Sequence, residues 1–216
     1  PWFLSKFDPE LCLFLGLTGA MVNSSDAVTV GLAEWLLLEE QYPALLEELK
    51  QVAWGSADAK SLVSALLQLM EEEVIDSKPT TQICPYLDQI KEACKGSDLN
   101  QIAQRIQAIE GGTQWLEIAQ KSFASGSPIT AHICFRQVKE YHRLSLADCF
   151  RLELTLSVRS ALLGEFEEGV RSRLVDKDGN PKWMFNSVSE VDESVIDTLF
   201  TSLWSEEEHP LAQLGK

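Results

Sequence analysis

Apolar residues recur at spacings of three and four along nearly the whole chain, and this period constrains the fold more than any other feature. Such spacing places apolar side chains on one face of an α-helix, while glycine and proline fall mostly between the periodic runs. The short apolar run at 32–38 could instead be a buried strand. The sequence therefore predicts a predominantly α-helical protein. Its helices are expected over about 10–17, 24–31, 41–53, 57–74, 83–95, 98–109, 113–124, 127–141, 146–164 and 166–175, with an amphipathic run at 191–204.

One segment carries a conflicting signal. Residues 150–158 alternate apolar and polar side chains, which is the period of a half-buried strand. We favour a helix, because Ser145 and Asp148 resemble a capping box and the apolar residues that follow fit one helical stripe. Gly164 can adopt the left-handed conformation that ends helices. The segment is therefore predicted to lie within a helix that is apolar on more than one side.

The charge balance bears on possible partners. The 216 residues include 33 aspartates and glutamates against 18 lysines and arginines, a formal net charge of −15. A surface of this sign repels polyanions, so we expect no nucleic-acid partner. No stretch approaches the roughly 20 apolar residues that span a bilayer, so we expect no membrane partner either. A single anionic ligand could still bind where basic residues cluster.

Five cysteines are spread singly, without a C-x-x-C pair or a histidine at metal-ligand spacing. The odd number favours reduced thiols, which predicts a cytoplasmic protein, or a mitochondrial-matrix protein in a eukaryote. We interpret each cysteine as a small buried apolar residue, because free cysteine usually packs that way. No metal site and no permanently bound cofactor are predicted.

Judged from the residues alone, the chain offers no catalytic constellation, and we assign no catalytic residue. Its three histidines lie outside any H-E-x-x-H frame, and no G-x-S-x-G elbow or phosphate-binding glycine loop occurs. Two basic groups could receive an anion, although ordinary surface charge explains them equally well. These groups are Arg136, Lys139 and Arg143 on one helix face, and Arg171, Arg173, Lys177 and Lys182 across a helix end and turn.

Three stretches carry a family pattern. The first is L-T-G at 17–19, with D-A at 26–27 and G-L-A at 31–33; the second is S-P-I-T at 127–130, with R-Q at 136–137. The third, and most specific, is E-F-E-E-G-V-R at 165–171, then L-V-D-K-D at 174–178 and P-K-W at 181–183. Together they resemble the crotonase superfamily of acyl-CoA enzymes, in particular its 3-hydroxyisobutyryl-CoA hydrolase branch. Ser172 and Phe135 depart from the family pattern, which favours alanine and leucine.

The resemblance implies the C-terminal helical part of a crotonase-type α/β fold, whose spiral of β-β-α turns comes first. The opening residues 1–4 resemble the segment after the family's P-D-V-G-G, and the chain begins with Pro1, so we interpret it as a fragment or a processed chain. The catalytic acidic residues and the oxyanion hole would then lie upstream, and this chain alone is expected to be inactive.

The resemblance also implies a division into four parts. Residues 1–40 would be the end of the crotonase core, with a helix-turn-helix and a returning strand, and 41–125 a helical insertion. Residues 126–186 would be C-terminal helices that cover the acyl-CoA site, and 187–216 an acidic C-terminal arm.

The implied activity is hydrolysis of a short-chain 3-hydroxyacyl-CoA thioester, as in valine breakdown, with acyl-CoA as substrate. Lys177, together with Arg171 and Lys182, is expected to bind CoA. The expected partner is a second copy of the chain or the N-terminal crotonase core. Two alternatives stay open: hydration or isomerisation of an enoyl-CoA, and a non-enzymatic helical interaction module on a crotonase scaffold.

Overall fold

The structure is a computed structural model that describes residues 2, 3, 6, 8–55 and 58–215. The described residues form helices and contain no β-strand, so the predominantly helical prediction is confirmed. The α-helices are α1 Pro9–Thr18, α2 Ser24–Thr29, α3 Tyr42–Gln51, α4 Ala59–Glu72, α5 Leu87–Ala93, α6 Leu99–Gln107, α7 Gln114–Ser125, α8 Pro128–Glu140, α9 Leu146–Leu163, α10 Glu165–Val170 and α11 Glu193–Phe200. Shorter turns of 3₁₀-helix lie at Glu39–Gln41, Ile75–Ser77, Cys84–Tyr86 and Val188–Glu190, and a π-helical turn at Arg171–Val175.

The chain divides into two compact units. One consists of residues 1–21 and 88–216, and the other of residues 22–87. The division into four parts that the resemblance implied stays a prediction. Over the described residues, no helix combines the length and the apolar character that crossing a membrane requires.

The core of the larger unit is built on α1 and on the α8–α9–α11 group. Leu13 and Phe14 of α1 are completely buried, and the Phe14 ring lies 6.0 Å from the Trp115 ring of α7. A second cluster joins α8, α9 and α11 through Ile129, Leu156, Ile196 and Leu199. Burial of each such side chain stabilises the fold by about 1.5–3 kcal/mol. Through this cluster α11 packs against both α8 and α9, and residues of α8 and α9 line the site described below.

The ends of α9 confirm the helical interpretation of the alternating segment. Ser145 Oγ accepts the backbone N–H of Asp148 at 3.1 Å, and Gly164 ends the helix with φ 88°. The neighbours Thr155 and Leu156 are both buried, so α9 is enclosed on more than one face. Apolar residues on several faces explain why a two-residue alternation appeared within a helix.

The strand that the apolar run at 32–38 suggested does not form. Leu36 is buried, but its backbone N–H donates to Glu71 Oε1 at 3.0 Å and not to a neighbouring strand. Glu71 Oε1 also lies 2.9 Å from Lys78 Nζ. A buried backbone N–H must find an acceptor, and here a side chain supplies it. The segment is therefore irregular.

A buried aspartate organises the start of the smaller unit. Asp26 Oδ1 accepts the backbone N–H groups of Gln82 at 2.8 Å and Ile83 at 3.0 Å. Asn23 and Asp26 also cap α2 reciprocally, with Asn23 as the N-cap residue. Asp26 is completely buried, and these bonds satisfy its carboxylate.

Candidate functional site

A cleft of about 890 Å³ lies in the larger unit between α8, α9, α10 and the π-helical turn. Its volume is within the range of small-molecule sites. Glu153, Glu165 and Arg173 are the charged residues of its lining. The rest of the lining is mainly apolar and includes Ile129, Ile133, Leu156, Phe166, Val170, Leu174 and Trp183.

Large apolar side chains are exposed on this side of the unit. Phe166 and Leu174, which line the cleft, are 65% and 67% exposed. Leu162 and Val175, close to the lining in sequence, are 74% and 69% exposed. Single exposed apolar residues are ordinary, but a group of them beside an apolar cleft is typical of an interaction surface. We call these four residues the apolar rim.

Glu165 is a buried carboxylate in the cleft wall. Its Oε1 accepts the backbone N–H of Met184 at 2.8 Å, and its Oε2 accepts the Ser127 hydroxyl. Ser127 Oγ in turn accepts the backbone N–H of Thr130 at 3.1 Å. Both carboxylate oxygens are thus engaged in joining α10 to the start of α8 and to the chain at residue 184. Sequence reasoning gave Glu165 no role, because it reads as one of several surface glutamates.

Trp183 forms a wall shared by the cleft and a second pocket. Its Nε1 donates to the backbone oxygen of Ser125 at 3.0 Å. A Cβ atom added to Gly169 would lie 3.3 Å from the ring, so the indole rests directly on the backbone of α10. The second pocket, of about 430 Å³, includes Asn180 and Lys182 in its lining. An apolar space and a more polar space therefore meet at one indole ring.

Arg171 is the centre of an ion-pair cluster. Its Nε and Nη2 lie 2.8 and 2.7 Å from the two carboxylate oxygens of Glu168. Its Nη1 lies 2.7 Å from both Asp176 and Asp178, and Nη2 also donates to the backbone oxygen of Asn180 at 3.2 Å. Hydrogen bonds to Glu168, Asp178 and Asp176 raise the pKa of Arg171. The same guanidinium lowers the pKa values of Glu168 and Asp178 to about 2.

Lys177 and Lys182 lie on the turn that this cluster holds, and both side chains are exposed. Among the described residues other than glycine, Lys177 alone has a positive φ, at 54°. A left-handed backbone at such a residue costs about 1–3 kcal/mol and persists where the surroundings enforce it. The structure thus brings Lys177, Lys182 and Arg171 to one turn, where Arg171 is engaged by carboxylates. Binding of CoA by the three residues stays a prediction.

The other basic group serves a different purpose at Arg136. Its Nη1 lies 2.6 Å from Asp197 and its Nε 3.1 Å from Glu140. The guanidinium also lies over the Phe200 ring, 4.9 Å from its centroid. Arg136 therefore joins α8 to α11, and these acidic partners compete with any anion.

The cysteines do not form a reactive site. Burial raises the pKa of Cys12 to about 11 and those of Cys94 and Cys134 to about 12, and Cys149 is also buried. Cys84 is exposed and Cys134 is half-buried, so the interpretation of every cysteine as buried is wrong for these two residues. No three His, Cys, Asp or Glu side chains of the described segments are grouped to hold a metal ion.

The helical fold is that of a crotonase-superfamily protein. A family model described as enoyl-CoA hydratase/isomerase matches residues 1–200, and the chain belongs to this family. The chain is similar to the mitochondrial 3-hydroxyisobutyryl-CoA hydrolases of Xenopus laevis, at 29% identity, and Homo sapiens, at 28%. Each match covers 94% of this chain and 52% of the relative. The chain thus spans about half the length of these curated relatives.

Solved structures support the fold. An enoyl-CoA hydratase from Rhodobacter sphaeroides matches with a TM-score of 0.72 at 22% identity, over 93% of this chain and 54% of its own. A carnitinyl-CoA dehydratase from Mycobacterium thermoresistibile matches with a TM-score of 0.69 at 22% identity, over 94% and 54%. The predicted superfamily and its similarity to the hydrolases are confirmed. Residues 1 and 4 of the opening segment lie outside the described residues.

Proposed function

We propose that this chain supplies the C-terminal helical part of an acyl-CoA thioester hydrolase of the 3-hydroxyisobutyryl-CoA type, acting in valine breakdown. The similarity to such hydrolases over 94% of the chain supports the proposal. The observation that carries it is the turn at 176–182, which presents two exposed lysines in a chain of net charge −15. The relatives named as mitochondrial support a location in the mitochondrial matrix.

The proposed binding mode uses both sides of Trp183. CoA carries several phosphate charges, and the Lys177 and Lys182 ammonium groups are point-charge partners for them. The apolar cleft on the other side of the ring suits the less polar end of an acyl-CoA. In this proposal Lys177 and Lys182 anchor the nucleotide end.

The chemical step is proposed to depend on residues outside this chain. Thioester hydrolysis passes through an oxyanion, and preorganised N–H donors stabilise such charge by several kcal/mol. Glu165, the buried carboxylate of the cleft, has both oxygens engaged by Ser127 and Met184. The apolar rim supports docking onto an N-terminal crotonase core or a second copy of the chain.

Calorimetric titration of the chain with CoA tests the binding proposal. We expect Lys177→Ala to weaken binding about fivefold to tenfold, because an exposed charge-assisted contact contributes about 1–1.4 kcal/mol. Lys121→Ala, which removes an exposed lysine on α7, is the matched control and should bind like wild type. Equal affinities for the two variants would remove Lys177 from the site.

A thiol-release assay with 3-hydroxyisobutyryl-CoA tests whether the catalytic groups lie outside this chain. The chain alone should release no CoA, and a longer chain that includes the upstream crotonase segment should restore hydrolysis. Turnover by the chain alone would contradict the assignment of the catalytic groups to that segment.

Two alternative functions each have an observation in their favour. The structural neighbours named as an enoyl-CoA hydratase and a carnitinyl-CoA dehydratase favour hydration or isomerisation, for which crotonyl-CoA is the test substrate of the longer chain. The apolar rim favours a helical interaction module, which would self-associate or bind a partner without binding CoA.

A further inference from the structure

We propose that Arg171 is a positioning residue, which fixes the turn carrying Lys177 and does not itself contact the CoA phosphates. This inference rests on the proposed function, because it concerns how the same site presents its lysine. It also gives Arg171 a role different from the CoA contact that the resemblance implied.

The Arg171 guanidinium is already bound by acceptors of the chain. All three nitrogens of Arg171 bind acceptors of the chain, two of them on Glu168 in a bidentate pair. Its Nη1 bridges the carboxylates of Asp176 and Asp178. Three carboxylates against one guanidinium leave the cluster negative, so it repels an incoming phosphate. Direct binding would require displacement of these carboxylates.

The contacts of Arg171 with Asp176 and Asp178 act directly on the backbone at Lys177. Asp176 and Asp178 are the residues on either side of Lys177, and both reach the same nitrogen of Arg171 at 2.7 Å. Two carboxylates that converge on one point fold the intervening residue outward. Lys177 accordingly holds the left-handed conformation, at φ 54°, and its side chain is exposed. The cluster enforces a backbone state that lysine alone rarely adopts.

The rest of the turn is bonded to α10 and to the π-helical turn that follows it. The backbone N–H of Lys182 donates to Glu168 Oε1 at 2.5 Å, and that of Gly179 to the backbone oxygen of Ser172 at 3.2 Å. The Asn180 N–H donates to Asp178 Oδ1 at 2.9 Å. The turn is therefore held at both ends, and two of these three bonds use carboxylates that pair with Arg171.

Whether Asp178→Ala strengthens or weakens CoA binding distinguishes a positioning role of Arg171 from direct phosphate binding. Asp178→Ala removes a negative charge near the site and frees part of the guanidinium. If Arg171 binds phosphate directly, or if net charge alone governs affinity, this variant binds CoA more tightly. If Arg171 positions Lys177, the loosened turn binds CoA about threefold to tenfold more weakly despite the favourable charge change.

Calorimetry with CoA at low salt measures these affinities, and two further variants complete the set. Arg171→Lys keeps the charge, but its single nitrogen cannot pair with both oxygens of Glu168 and also reach Asp176 and Asp178, so it should weaken binding like Asp178→Ala. Arg171→Ala combined with Lys177→Ala should weaken binding by less than the product of the two single effects, because both changes act in part through the Lys177 ammonium group. Lys121→Ala again serves as the control.

Amide exchange reports the turn without reference to a ligand. In Asp178→Ala and Arg171→Lys, exchange at Gly179 and Asn180 should accelerate, while α9 keeps its protection. Tighter or unchanged CoA binding by Asp178→Ala, with Lys177→Ala still weakened, would overturn the positioning role and leave the proposed site intact. Wild-type binding by Lys177→Ala would overturn the site and this inference together.

Discussion

Replacement of Asp26 by alanine tests the packing of the smaller unit most directly. The change removes both acceptors of a completely buried carboxylate and leaves the backbone N–H groups of Gln82 and Ile83 without their partner. A hydrogen bond to a charged group contributes about 1.5–3 kcal/mol, and an unsatisfied buried donor loses its hydration as well. Ile83 is completely buried, whereas Gln82 is exposed and water can replace part of its loss. The expected destabilisation is therefore about 3 kcal/mol.

Asp26→Asn is the matched control. Its side-chain oxygen can keep the bonds to Gln82 and Ile83, so only the charge and the weaker contact with the Asn23 N–H, at 3.4 Å, are lost. We expect a cost of about 1 kcal/mol for this variant.

Hydrogen exchange of the peptide covering 80–87 is the assay, because it reads local opening free energy within one unit. A change of 3 kcal/mol accelerates exchange about a hundredfold, and 1 kcal/mol about fivefold. An alanine variant that exchanges less than fivefold faster, or an asparagine variant equal to it, would refute the reasoning that Asp26 holds this loop through its acceptors.

Three further predictions concern the cysteines, the Arg171 ion pairs and Gly169 of α10. Iodoacetamide on the native protein should modify Cys84 first, with the buried Cys12, Cys94 and Cys149 protected until unfolding; mass spectrometry that finds these three modified as fast as Cys84 contradicts their burial. Glu168 and Asp178 have pKa values near 2 in the folded protein, below their ordinary 4.5 and 3.8, so the stability they contribute is complete above about pH 5 and is lost as pH falls towards 2. The protection factor at Gly179, which relates its exchange rate to that of an unstructured amide at the same pH, should fall over that range, and a flat profile would count against the ion pairs. Gly169→Leu should destabilise the protein by about 1–3 kcal/mol in thermal unfolding, because the new side chain meets the neighbouring indole; an unchanged melting temperature would show that the ring moves freely.

Local signals in the sequence predicted much of the helical structure. Ser145 begins α9 as a cap residue and Gly164 ends it in the left-handed conformation, both as expected. A cap is a contact within a few residues of chain, so its chemistry can be inferred from the spacing alone. The family motifs at 127–130 and 165–183 likewise predicted the superfamily.

The features that sequence reasoning missed depend on contacts distant along the chain. Leu36 does not enter a strand because Glu71, 35 residues away, accepts its N–H. Glu165 is buried because Ser127, 38 residues earlier, donates to it. The sequence predicted that Arg171 binds CoA, but in the structure three carboxylates surround its guanidinium. In each case residue type was clear, and the partner was set by tertiary structure.

The π-helical turn fixes how many residues the chain can have at this point. Its defining bond runs from the Asp176 N–H to the Arg171 oxygen at 2.8 Å, one residue wider than an α-helical turn. Deletion of a single residue between them would restore α-helical winding and rotate all that follows by about 100°. The aspartates would then point away from the guanidinium. Segment length, as much as side-chain identity, therefore limits which insertions or deletions a descendant of this sequence can tolerate here.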